Sequence, residues 1–134
     1  MQALLLPVGP EWYAVETTSV REVVSAPLVV SLPTAPATVL GVFNLRGEIV
    51  PLFDTAALLG VGAYTDHPFV TVVDTALGPA GLNATGVPEA AVLTEQASAA
   101  ELPGAVGVYA HDGRLVVLVE PEMLLAPARV GGWT

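Results

Sequence analysis

The chain lacks cysteine and lysine altogether, has only two histidines, and sets four basic residues against thirteen acidic ones. Without cysteine there can be no disulfide, thiolate metal site or cysteine nucleophile, a composition that suits the cytoplasm. The formal charge of −9 repels phosphate, so neither nucleic acid nor anionic lipid is a fitting partner. A partner with basic or apolar contact surfaces fits better. The opening MQALLLPVGPEWYAVE has neither the basic start nor the long apolar stretch of a secretory leader and reads as mature protein. From Val23 to Leu45 no residue is charged, which imitates a membrane span on hydropathy. Pro27, Pro33, Pro36 and Gly41 interrupt any continuous helix there, so direct membrane insertion is not expected.

Motifs of catalysis are missing as well. His67 and His111 fall near predicted turns, and neither has the spacing of a metal ligand set; they read as solvated turn residues, and no metal or cofactor is expected. There is no phosphate loop, dinucleotide fingerprint or nucleophile elbow. Glu120 with Glu122, or Glu48 with Asp54, could form a carboxylate pair, but acid–base work also needs burial and a cleft. Solvated or capping carboxylates are the simpler reading, so the chain is expected not to be an enzyme.

What is present is apolar material, 53% hydrophobic residues against 13% charged, in short runs punctuated by glycine and proline. That is the pattern of an all-β chain built as small barrels or a sandwich. Gly9-Pro10 separates two strands of an opening hairpin. Val20 to Val24 and Leu28 to Val30 read as strands on either side of Pro27. Val39 to Phe53 reads as two strands joined near Arg46-Gly47, with Pro51 marking an edge or a bulge. Asp54 to Leu59 reads as a helical turn capped by Asp54 and stopped by Gly60. After a junction at Val61 to His67, Phe69 to Val73 forms a strand, Gly78-Pro79 breaks it, and Gly81 to Val87 and Glu89 to Thr94 are weaker strands. Ala97 to Pro103 reads as a loop or one helical turn. Asp112-Gly113 suits a tight hairpin between Val106–Ala110 and Leu115–Val119, and Pro121 to Leu125 reads as a closing helical turn. Each half thus ends in an acidic residue leading into a Leu-Leu turn, a loose duplicated plan. One domain over 1–134 is expected, with approximate subdomains 1–66 and 67–134 open to exchange of strands.

One constellation stands out. Arg46 is the only arginine between Arg21 and Arg114, inside an apolar hairpin beside Asn44, Gly47 and Glu48. A guanidinium so placed needs a carboxylate, with Glu22 the preferred partner and Glu48 the local competitor. Two readings stay open: an ion pair fixing strand register, or an arginine giving polar specificity to an apolar docking surface.

The run GVFNLRGEIVPLFDTAALLG, Gly41 to Gly60, resembles the hallmark segment of CheW domains. WYAVETTSVREVV and Leu32-Pro33 with Pro36 are similar to that family's upstream strands and proline-containing approach. The resemblance implies two intertwined five-stranded SH3-like barrels with short helical turns and an apolar groove between them. It also implies a non-catalytic chemotaxis adaptor joining chemoreceptor cytoplasmic tips to the regulatory domain of a CheA-type histidine kinase. Carried over by position, Glu22 and Arg46 match the family's acidic and basic pair, and Val20, Gly41, Asn44 and Val87 match positions near the receptor and kinase surfaces. Alternatives are a divergent adaptor of a pilus or regulatory pathway, or a barrel that binds a small ligand. Two stretches depart from the family pattern: Asn83 to Gly86, where an altered second-barrel surface is expected, and a shortened Thr94 to Pro103.

Overall fold

The computed structural model describes residues 1–127; the last seven residues of the expected 1–134 domain lie outside the described residues. Among the described residues, eleven strands and two short helices follow one another. Strands β1 (Gln2–Val8) and β2 (Glu11–Glu16) form the opening hairpin, and β3 (Val20–Ser25) follows a 3-10 turn. Next come β4 (Val39–Leu45), β5 (Glu48–Phe53) and helix α1 (Thr55–Leu59). The chain continues through β6 (Phe69–Thr75), β7 (Gly78–Ala84), β8 (Glu89–Val92) and β9 (Glu95–Ser98). It closes with β10 (Ala105–His111), β11 (Arg114–Val119) and α2 (Pro121–Leu124). The fold is all-β.

Two sheets result, one in the order β8-β1-β2-β11-β10-β9 and the other β3-β6-β7-β5-β4. Both cross residues 66 and 67: the N-terminal hairpin joins the sheet of β10 and β11, while β6 and β7 join the sheet of β3 to β5. In each sheet two antiparallel hairpins meet along one parallel seam, β2 on β11 and β5 on β7.

The same device closes both sheets into barrels. Strands β8 and β9 lie at opposite edges of their sheet yet are separated only by Leu93 and Thr94. They act as one bent strand, whose corner Leu93 is 2% exposed and buried against Ala3, Leu5 and Val116. Counted singly they give six strands rather than the expected five; counted as one, the expectation holds. In the second sheet, β3 is extended past Pro27 until Val30 pairs with Val42 on the opposite edge strand, β4. Leu28 to Val30 therefore contributes a single bridge where a full strand was expected. Gly41 makes the approach possible, because a Cβ there would lie 2.3 Å from the Val30 carbonyl oxygen.

Alternation sorts the side chains. Phe43, Leu45, Val50, Leu52, Val70 and Val72 fill the five-stranded barrel. A third cluster, including Leu6, Tyr13, Phe53, Leu59, Leu82 and Leu124, lies between the two barrels and is shared by both. Prolines and polar stretches produced the remaining differences from expectation. Pro79 sits inside β7, opposite Asp74, instead of breaking a strand. Pro51 lies in β5, which has neighbours on both sides. Val42 directs its amide and carbonyl to Val30, so the Val42–Pro51 pair exchanges no ladder bonds and the missing amide costs nothing on that side. The parallel register with β7 begins only at Leu52. The segment 95–98 is strand β9, paired with β10, where a loop or helical turn was expected from residue 97. All four of its residues are exposed, so it has no buried alternation from which a strand can be recognised.

Candidate functional site

The β4–β5 hairpin positions the candidate site. Leu45 and Glu48 face each other across a two-residue turn, Arg46-Gly47, with φ of 51° and 90°. Positive φ at both positions matches the twist of the flanking strands, and a non-glycine residue there bears local strain. The Asn44 side chain steadies the turn by accepting the Gly47 amide at 2.8 Å. Arg46 is thereby carried on a fixed tip, and its side chain is 73% exposed. It is not embedded in the hairpin, as the apolar neighbouring sequence suggested.

Glu22, not Glu48, is its partner. The two guanidinium nitrogens Nη1 and Nη2 donate to Oε2 and Oε1 of Glu22 at 2.5 and 2.7 Å, a planar two-point match. These hydrogen bonds hold the Glu22 carboxyl below the usual carboxylate range and push the Arg46 guanidinium up. Glu48 is taken by Arg21, whose Nη1 donates to it at 2.8 Å. The same guanidinium donates twice to Asp74, at 3.0 and 2.5 Å, and Asp74 followed by Glu48 raises its pKa. Strands β3 and β5 are not neighbours in the sheet. Both ion pairs therefore bridge the curled barrel across its open seam, on top of the single Val30–Val42 bridge.

Beside this charged seam runs an apolar groove. The outer face of β4 and β5 supplies its floor with Val42, Ile49 and Pro51, the β6–β7 turn supplies a wall with Leu77 and Gly78, and Leu125 closes one end of a hollow of ≈ 340 Å3. A second hollow of ≈ 300 Å3 shares Val42 and Ile49 and continues past Leu28 and Val30 to Asn44. Ile49 and Leu77 are 60% and 67% exposed, and Leu28 is 88% exposed. This contiguous apolar surface makes the groove a candidate contact site. Leu125 belongs to the shared cluster between the barrels, so the groove starts at their junction and runs toward the Arg46 tip.

The structure gathers Glu22, Asn44 and Arg46 at one end of this groove. Gly41 is nearby in sequence, but its visible role is the close approach of Val30. Val20 is half-buried against the shared core. Val87 is not part of the gathering: it is exposed on the connection from β7 to β8, between Thr85, bonded to the Pro7 carbonyl, and Glu89, paired with Leu5. Sequence reasoning missed Arg21, Asp74, Ile49 and Leu77. For Ile49 a signal existed, since it alternates with buried Val50 and Leu52. Arg21 becomes meaningful only once the barrel curls.

The departure at Asn83 to Gly86 begins inside the molecule. Asn83 is fully buried; its amide nitrogen donates to the Tyr64 and Asp66 carbonyls and its Oδ1 accepts from the Thr55 amide. It clasps the junction from within, with Ala84 buried beside it, while Thr85 and Gly86 are half-buried. The carboxylates weighed as acid–base candidates have structural tasks. Asp54 caps α1 and accepts the Tyr64 amide, Glu120 caps α2, and Glu122 accepts the Ala76 amide. Among the described residues no three His, Asp or Glu side chains converge on a metal-sized space. No helix among them is long and apolar enough to cross a membrane.

Two interlocked barrels thus share one apolar groove with a charged rim. The CheW-like domain profile matches residues 2–129, and the chain belongs to that family. It is 30% identical over 129 residues to a probable chemotaxis protein CheW of Rhizobium etli, covering 89% of this chain and 83% of that one. It is 33% identical over 123 residues to the chemotaxis protein CheW of Rhizobium meliloti, covering 84% and 79%. Among solved structures it resembles the scaffolding protein TtCheW from Thermoanaerobacter tengcongensis, with a TM-score of 0.81 at 20% identity, over 98% of this chain and 94% of that one.

Proposed function

We propose that this chain is a cytoplasmic, non-catalytic adaptor that couples chemoreceptor cytoplasmic tips to the regulatory domain of a CheA-type histidine kinase. The observation that carries the reading is the continuity of the apolar groove with the Asn44–Arg46–Glu22 tip. An amphipathic partner helix can bury an apolar stripe on Ile49, Val42 and Leu77, while Arg46 supplies a directional polar contact at one end. Arg46 already has its charge matched by Glu22, so docking need not desolvate a lone cation. In this reading Gly41, Val20 and Val87 support the docking surfaces through the backbone and the second barrel. A small-ligand function fits less well, because both barrel interiors are filled by side chains.

The test is binding of a receptor-tip fragment and of the kinase regulatory domain to wild type and to Arg46→Glu, measured by calorimetry. The substitution places like charges together on an exposed turn. We expect it to weaken one of the two partners by about tenfold or more while the protein stays folded. Full binding of both partners by the variant would remove Arg46 from the interface.

A further inference from the structure

The groove wall opposite Ile49 is the β6–β7 turn, and it is hydrogen-bonded to a residue near the far end of the chain. Within the turn, Thr75 Oγ1 donates to the Gly78 carbonyl at 2.8 Å and accepts the Leu77 amide at 3.2 Å. These bonds make the turn a stiff unit, but none of them attaches it to the rest of the molecule. The Ala76 amide does so, donating to Glu122 Oε1 at 2.7 Å. Glu122 belongs to α2, which is firmly seated: Leu124 is fully buried, Glu120 accepts the Glu122 amide through its side chain, and the Glu120 amide donates to the Gly104 carbonyl. Helix α2 follows the last strand of the six-stranded barrel, whereas the turn belongs to the other barrel. The opposite hairpin turn, at Gly9, is attached differently, by the Tyr64 ring packed over it and by Thr85 Oγ1.

We propose that Glu122 is a positioning residue: by holding the β6–β7 turn from α2, it sets the wall of the apolar groove against which a partner helix docks. The inference rests on the adaptor reading for the identity of the occupant, a receptor tip, but not for the hold itself. Glu122 touches no partner in this scheme. It acts through Leu77, whose side chain forms the wall. It also ties the wall to the barrel that ends in α2, so a partner bound there and a partner in the groove would share one mechanical element.

Two variants separate the acceptor from the bulk of the side chain. Glu122→Gln keeps a carbonyl oxygen that can accept the Ala76 amide, and Glu122→Ala removes it. Hydrogen exchange at the Ala76 amide should be about three- to tenfold faster in the alanine variant and close to wild type in the glutamine variant. The methyl resonances of Leu77 and Leu125, which line the groove, should move in the alanine variant alone. Affinity for a soluble receptor-tip fragment should fall about three- to tenfold in the alanine variant and recover with glutamine. Unchanged exchange and unchanged methyl shifts would overturn the proposal, as would faster exchange with undiminished tip affinity. If wild type itself fails to bind the tip while exchange and methyl shifts respond as expected, the adaptor reading falls and the hold stands.

Discussion

The two barrels share one plan and close it with different materials. In the six-stranded barrel the bent strand β8–β9 pairs with both edges, β1 on one side and β10 on the other. An ion pair between Glu89 and Arg114, at 3.6 Å, is laid over that hydrogen-bonded closure, and Arg114 also stacks over Trp12, 3.8 Å from the ring centroid. In the five-stranded barrel the corresponding strand supplies one bridge, at Val30, and the rest of the seam is held by Arg21 and Arg46. The hairpin tips correspond too, Arg46-Gly47 against Asp112-Gly113, both at positive φ. One tip carries a cation and the other an anion. Where the backbone seals a barrel, its arginine only reinforces the closure; where it leaves a single bridge, arginines span the gap. Those arginines lie along the groove that we assign to docking.

If the barrels are halves of one unit, damage between them should be felt by both. Leu82, fully buried in the shared cluster, is the place to ask. Leu82→Ala should destabilise the protein by about 2–5 kcal/mol through lost burial and a residual cavity. Urea unfolding followed by Trp12 fluorescence, in the six-stranded barrel, and by amide signals of β4, in the other, should shift together. Separate midpoints would show two independently folding barrels.

The five-stranded seam can be set against the other barrel's hairpin tip by adding one methyl group to each. Gly41→Ala drives a Cβ against the Val30 carbonyl and enforces a φ of 150°, so about 1–3 kcal/mol should be lost. Gly113→Ala at the other barrel's tip meets nothing within 4 Å and bears only backbone strain, roughly 1–2 kcal/mol. Thermal melts of the two variants check the order. A larger loss at Gly113 would mean that the Val30 bridge contributes little to closure.

These contrasts show which parts of the molecule were legible from residues alone. Tips and caps were, because Asp112-Gly113, Arg46-Gly47, Asp54 and Gly60 act within three or four residues of themselves. The Arg46–Glu22 pair was expected from an isolated arginine in an apolar stretch, but the burial that expectation assumed is absent, since the Arg46 side chain is 73% exposed. The rest depends on closure. Arg21 meets Asp74 and Glu48 only when β3 curls over the barrel, and Asn83 becomes a clasp only when the junction folds over it. Strand β9 has no buried residue to reveal it. The groove is assembled from β4, β5, the β6–β7 turn and Leu125, which no window of sequence spans.

The smallest expected effect concerns the charge on the five-stranded seam. Glu22 has its carboxyl held below the ordinary value of 4.5 by the hydrogen bonds from Arg46. A depressed native value means that the unfolded chain binds the proton first as the solution is acidified. The contribution of the pair is therefore complete above the ordinary carboxylate value and is lost as pH falls through the lower native one. The Arg46 shift runs upward and plays no part in this window. Compared with Glu22→Gln, wild type should hold a small, constant advantage in urea midpoint from about pH 7 down to about pH 5, and that advantage should close as acid is added below it. High salt should shrink the advantage at neutral pH, because the pair is exposed. An advantage that grows toward acid would mean that Glu22 gains its proton more readily in the folded protein, and the ion pair could not then be what closes this seam.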